Sequence, residues 1–134
     1  MAVTGLVAYI STLAPTVLDG DGALFQYTPS VLGVTYPTGY PTYMLLGYLW
    51  KVLVPIGSVA YRMNLLSAVC GGMALAFVYL ALSRLLDSRM GALSATLIFA
   101  TVPTYWRWAT EAKIYTLHIL LLSGILFLLT RRQQ

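Results

Sequence analysis

The stretch Leu65-Leu-Ser-Ala-Val-Cys-Gly-Gly-Met-Ala-Leu-Ala-Phe-Val-Tyr-Leu-Ala-Leu-Ser83 holds no charged side chain. A helix of that length rises far enough to cross a hydrocarbon core of ~30 Å. It is apolar on every side, without the in-and-out alternation of a barrel strand, so a membrane helix is the reading it supports. Three more stretches are alike: Ala2 to Leu18, Met90 to Trp106 and Ile114 to Thr130. With 59% hydrophobic and 9% charged residues in 134, the chain lies well below the roughly one-quarter charged share of soluble domains. The expectation is an all-α membrane protein, a polytopic bundle with spans near 2–18, 65–83, 90–106 and 114–130. The first stretch is read as a retained span and not a signal peptide, because it has no basic flank, carries Pro15 and runs into Asp19.

Details within the spans predict how they pack. Ser67 and Gly71, like Ala68, Gly72 and Ala76, recur at four-residue steps, which lets another helix approach closely. The short turn Arg84 to Arg89 makes the second and third spans antiparallel neighbours, and Pro103 should tilt or end the third. The lone Cys70 reads as a small packing residue. The cations stand singly and in no basic block, which argues against nucleic acid, and neither a metal-binding cluster nor a Gly-rich phosphate loop is visible.

The segment 19–62 differs from its surroundings. Pro29, Pro37, Pro41 and Pro55 punctuate it, and Tyr27, Tyr36, Tyr40, Tyr43, Tyr48 and Tyr61 crowd it. Thr42 to Val54 is apolar but short and carries Lys51, so it reads as a re-entrant or interfacial helix with Trp50 at headgroup level. Four spans put this loop and the loop Tyr105 to Lys113 on one membrane face, together with every acid except Asp87. Asp19 and Asp21 open the first loop. Glu111, Tyr115 and His118 recur at helical spacing and are expected to share a stripe. Glu111 also fits a helix-capping role, and His118 a hydrogen bond to a neighbouring span. Cation counts are even on the two faces, with Arg84, Arg89, Arg131 and Arg132 on one and Lys51, Arg62, Arg107 and Lys113 on the other. Snorkelling to headgroups and binding of an anionic ligand explain the second group equally well.

Four blocks carry a resemblance. They are Leu13-Ala-Pro-Thr-Val-Leu-Asp-Gly-Asp-Gly-Ala-Leu-Phe-Gln26, Leu32-Gly-Val-Thr-Tyr-Pro-Thr-Gly-Tyr-Pro-Thr-Tyr43, Arg62-Met-Asn-Leu-Leu-Ser-Ala68 and Glu111-Ala-Lys-Ile-Tyr-Thr-Leu-His118. In this order they resemble the amino-terminal part of a membrane-protein family whose animal members are protein O-mannosyltransferases. The resemblance implies a glycosyltransferase of the GT-C superfamily, using a polyprenyl- or dolichyl-phosphate sugar at a site in the first extracytoplasmic loop. It implies an early acidic base, which falls on Asp21 within Gly20-Asp21-Gly22. The family usually has a second acid shortly after, where this chain has Ala23 and Leu24, so Asp19 or Glu111 is the substitute expected. The family's His-Pro-Pro-Gly-Tyr-Pro stands here as Tyr36-Pro37-Thr38-Gly39-Tyr40-Pro41.

On this reading the partners are membrane lipid, the lipid-phosphate sugar, and a protein or other hydroxyl acceptor. Arg62, Arg107 and Lys113 suit the donor phosphate, since arginine can donate two bonds at once. Tyr36, Tyr40, Tyr115 and His118 suit the substrate surface. The donor is a substrate, so no resident cofactor is expected, and metal dependence stays open. Both chain ends are expected in the cytoplasm. Enzymes of this class have many more spans, so a fragment is expected. The competing readings are the first bundle of a secondary transporter, toward which His118 leans, and a small membrane subunit.

Overall fold

The protein is described here by a computed structural model covering residues 2–131; Met1, Arg132 and the terminal glutamines lie outside the described residues. Its elements are helices: α1 (Ala2–Ser11), α2 (Asp21–Tyr27) running into a 3-10 turn at Thr28–Val31, α3 (Pro41–Leu53), α4 (Val59–Leu85), α5 (Arg89–Thr101), α6 (Pro103–Thr110) and α7 (Tyr115–Arg131). No strand occurs among the described residues.

Local chemistry sets the boundaries. The Ser58 and Ser88 hydroxyls cap α4 and α5 by accepting from the amides of Tyr61 and Gly91 at 3.2 and 3.1 Å. Pro41 and Pro103 open α3 and α6, where a missing backbone N–H is harmless. Beyond the end of α3, Arg62 reaches back and donates to the carbonyls of Lys51, Ile56 and Gly57 at 3.0 to 3.4 Å. Trp50 Nε1 donates to the Arg62 carbonyl at 2.9 Å, which locks the turn from the other side.

Among the described residues, α4 alone of the expected spans is long and apolar enough to cross a membrane by itself. A second exists if α6 and α7, bent by 111° across residues 111–114, count as one broken span. The first stretch is helical only as far as Ser11, because Thr12 turns its hydroxyl onto the Ala8 carbonyl and the chain then runs out toward Pro15. The third breaks at Val102, immediately before Pro103, as the proline requires. The expected helix at 42–54 is α3.

The long helix α4 is the spine, touching α1, α2, α3, α5, α6 and α7, and most extensively α7. Its small residues allow this. A Cβ added to Gly71 would stand 3.1 Å from the Ala109 Cβ, and the Tyr105 hydroxyl donates to the Gly71 carbonyl at 2.8 Å. Two apolar clusters flank the spine. Phe25, Tyr43, Met63, Leu66 and Ile114 fill the side toward α2 and α3. Tyr9, Ala68, Leu75, Tyr105 and Ala109 fill the side toward α1 and α6. On α7 the residues Leu121, Leu122, Ile125, Leu128 and Leu129 are left exposed, a face suited to lipid and not to water.

Candidate active site

A buried amide pair organises the end of the bundle that carries the acids. Asn64, on α4, is fully buried and donates through Nδ2 to the Ala14 carbonyl at 2.7 Å. Its Oδ1 accepts from the Ala112 amide at 2.9 Å and from Gln26 Nε2 at 3.0 Å. Gln26 in turn accepts from the Leu18 amide at 2.9 Å. One turn further along α4, Ser67 Oγ accepts from the Lys113 amide at 3.2 Å. Two irregular segments, 12–20 and 111–114, and the last turn of α2 are thereby pinned to one helix. Buried backbone groups need such partners, and side chains from the spine supply them.

This anchoring leaves Gly20 at φ +59°, a conformation glycine adopts freely, and starts α2 at Asp21. Gly22 has a different task, since a Cβ there would meet Leu18 at 2.7 Å. The Asp21 carboxylate accepts a hydrogen bond from the Tyr36 phenol through Oδ1. Its Oδ2 has no hydrogen-bond partner among the described residues. Tyr36 and Tyr40 both hold left-handed backbone, at φ 60° and 43°, on either side of Pro37-Thr38-Gly39. Such conformations cost about 1–3 kcal/mol each and collect at functional sites. What they achieve here is a cradle: the rings of Tyr36, Tyr40 and Tyr43 stand 6.2, 5.8 and 5.6 Å from that of Phe25.

The hydrogen bond to Asp21 raises the Tyr36 phenol above its ordinary value, with loss of solvent and the charges of Asp21, Tyr40 and Tyr115 adding to it. The neutral phenol is the donor, so the contact is complete below the ordinary tyrosine value and is lost as pH rises through the raised one. Asp21→Asn is expected to bring the Tyr36 titration back toward the ordinary value, followed by the ring-carbon chemical shift of labelled tyrosine. An unmoved midpoint would mean that the two side chains do not meet in solution.

An open cavity of about 430 Å³ is lined by Arg107, Trp108, Lys113 and Tyr115. The Trp108 and Tyr115 rings stack with centroids 4.6 Å apart. Arg107 is largely exposed, and its Nε pairs with Glu111 Oε1 at 2.9 Å. Such a one-turn surface pair is worth only about 0.3–0.5 kcal/mol, so it holds Arg107 lightly. A second, smaller cavity of about 220 Å³ lies between the start of α3 and α7, and His118 and Tyr40 line it.

The expected residues thus divide. Asp21, Tyr36 and Tyr40 come together around one cradle, whereas Arg107, Lys113 and Tyr115 line a cavity of their own. Asp19 is exposed and finds no partner among the described residues. The stripe expected for Glu111, Tyr115 and His118 does not form. Glu111 terminates α6, while the other two lie on α7 beyond the bend, because the Ala112 and Lys113 amides bond to α4 instead of continuing a helix. Arg62 is occupied by carbonyls of the turn between α3 and α4. Sequence reading missed Gln26, Asn64 and Ser67 as organisers and Trp108 as a cavity wall. A lone amide within an apolar helix was the available signal for Asn64.

No metal-holding group of three or more His, Cys, Asp or Glu occurs among the described residues. No solved structure matches the chain. A Mus musculus protein named protein O-mannosyl-transferase TMEM260 is 37% identical over 121 residues, covering 90% of this chain and 17% of the mouse protein. A Dictyostelium discoideum protein of the same name is 25% identical over 124 residues, covering 91% of this chain and 15% of its own length. Residues 21–134 match the family described as the N-terminal domain of protein O-mannosyl-transferase TMEM260, and the chain belongs to that family.

Proposed function

We propose that this chain is the amino-terminal part of a multi-span membrane glycosyltransferase that moves a sugar from a polyprenyl- or dolichyl-phosphate donor onto an acceptor hydroxyl. The names of the relatives point to mannose as the sugar and to protein Ser or Thr as the acceptor. The single observation that carries the reading is Asp21: a carboxylate fixed at one oxygen by Tyr36, free at the other, and set against the aromatic cradle around Phe25. In the transfer, the acceptor oxygen bonds to the anomeric carbon while that carbon's bond to the phosphate oxygen breaks. The electron pair leaves with the phosphate, and the hydroxyl proton passes to Asp21 Oδ2. Arg107 and Lys113 offset the charge on the departing phosphate. Arg62 would have to release its carbonyls to take part, so we assign the phosphate to the other two.

Aromatic faces suit the apolar face of a sugar ring, and the exposed leucines of α7 suit a lipid-borne donor. We place residues 19–62 on the extracytoplasmic face, where that donor would present its head. The transporter reading gains nothing from His118, which is exposed on α7 and not held between spans.

Purified full-length protein is expected to move labelled mannose from dolichyl phosphate to a Ser/Thr peptide. Lys113→Gln should raise the donor KM about tenfold, the size of one lost charge-assisted contact. Absence of transfer by the intact protein would overturn the reading.

A further inference from the structure

Residues 113–118, which lead into α7, line both cavities. Lys113 and Tyr115 line the larger one, whereas Ile114, Leu117 and His118 line the smaller. Neighbouring residues of a helical turn point in different directions, so one short segment serves both sides. The chemistry of the two spaces differs. The larger holds the side chains of Arg107 and Lys113. The smaller presents the hydroxyls of Thr38, Tyr40 and Thr42 and the His118 imidazole above an apolar floor, with no carboxylate, lysine or arginine. The Asp21–Tyr36 pair adjoins the smaller one through Tyr40 and Tyr43, which pack with Tyr36 around Phe25 and line that cavity, and the larger lies across residues 113–118 from it.

We infer that the smaller cavity is the acceptor subsite, receiving a Ser or Thr side chain of a polypeptide, with His118 and Thr42 as specificity-determining contacts. The inference rests on the function proposed above and divides its site in two. A direct displacement brings the attacking oxygen in line with the departing one, so acceptor and phosphate must occupy opposite sides of the reacting carbon. The phosphate requires the cationic side. A neutral hydroxyl requires donors and acceptors without charge, and a peptide segment requires an open groove with apolar walls. The His118 cavity meets those needs and shares Tyr40 and Tyr43 with the cradle against which the carboxylate is held. Both His118 and Thr42 are exposed in this chain and stand outside its two apolar clusters, so changing them leaves those clusters intact.

The test uses full-length protein, dolichyl-phosphate mannose and a synthetic Ser/Thr peptide, with both KM values measured. His118→Leu keeps bulk but removes hydrogen bonding, and Thr42→Trp fills the groove. Each is expected to raise the peptide KM about five- to tenfold without moving the donor KM, and Lys113→Gln to do the reverse. A donor KM raised by His118→Leu, or a peptide KM unmoved in both variants, would overturn the assignment while the transfer reaction stood. Failure of the wild-type protein to transfer at all would instead remove the functional reading, and this subsite with it.

Discussion

Asp21→Asn in the full-length protein is expected to lower sugar transfer by at least about a hundredfold, the lower end of what general-base assistance contributes. The amide keeps the size of the carboxylate and still accepts from Tyr36, so the loop should hold its shape. What it loses is the ability to take a proton at the second oxygen. Donor binding should therefore persist, and the defect should appear in kcat. Asp19→Asn should do far less, because Asp19 stands exposed two residues earlier with no side chain holding it. Turnover in single-cycle assays with purified protein separates the outcomes. Near-normal turnover in Asp21→Asn, or an equal loss at Asp19, would show that another carboxylate is the base.

The largest effect on stability is expected at Asn64. Asn64→Leu is close in volume, yet it strands the Ala112 amide and the Ala14 carbonyl and leaves the Gln26 side-chain amide only its bond to the Thr16 carbonyl. Each buried group left unpaired costs about 1–3 kcal/mol, so a total of about 2–6 kcal/mol is expected. Ser67→Ala strands one amide, that of Lys113, and should cost roughly half as much. Thermal unfolding in detergent, followed by tryptophan fluorescence, gives the order. An Asn64→Leu variant as stable as the parent would mean that these segments are held by apolar packing and not by the amide network.

What the sequence made legible followed from short-range rules. The apolar run at 65–83 became α4, Pro103 divided α5 from α6, and the 42–54 segment became α3, because periodicity and proline act within a turn or two. The close approach of another helix at Gly71 likewise followed from small residues at four-residue steps, though not that Ala109 and Tyr105 would make it. Apolar composition, in contrast, does not reveal where a helix is interrupted by a tertiary contact. Residues 111–114 leave the helix because Asn64 and Ser67, over forty positions earlier, offer their amides other partners. The helical spacing of Glu111, Tyr115 and His118 was real on paper and was overruled by that long-range bond. In the candidate site, Asp21 and Tyr36 could each be singled out, the first as what the family resemblance implies and the second within its proline-rich block. Their contact depends on left-handed backbone at Tyr36 and Tyr40, which residue types of that kind do not announce.

The 111° elbow between α6 and α7 bears on the order in which the chain is assembled. Without α4 beside them, the amides of Ala112 and Lys113 would do best by bonding within one continuous helix. It is α4 that makes the bend cheaper than the straight rod, by offering Asn64 and Ser67 as substitutes. Because α4 precedes α6 in the chain, the template leaves the ribosome before the segment it shapes. The hairpin at the carboxyl end thus takes its form from a neighbour already in place, and a chain in which α4 entered late would present a straight, wrongly directed α7.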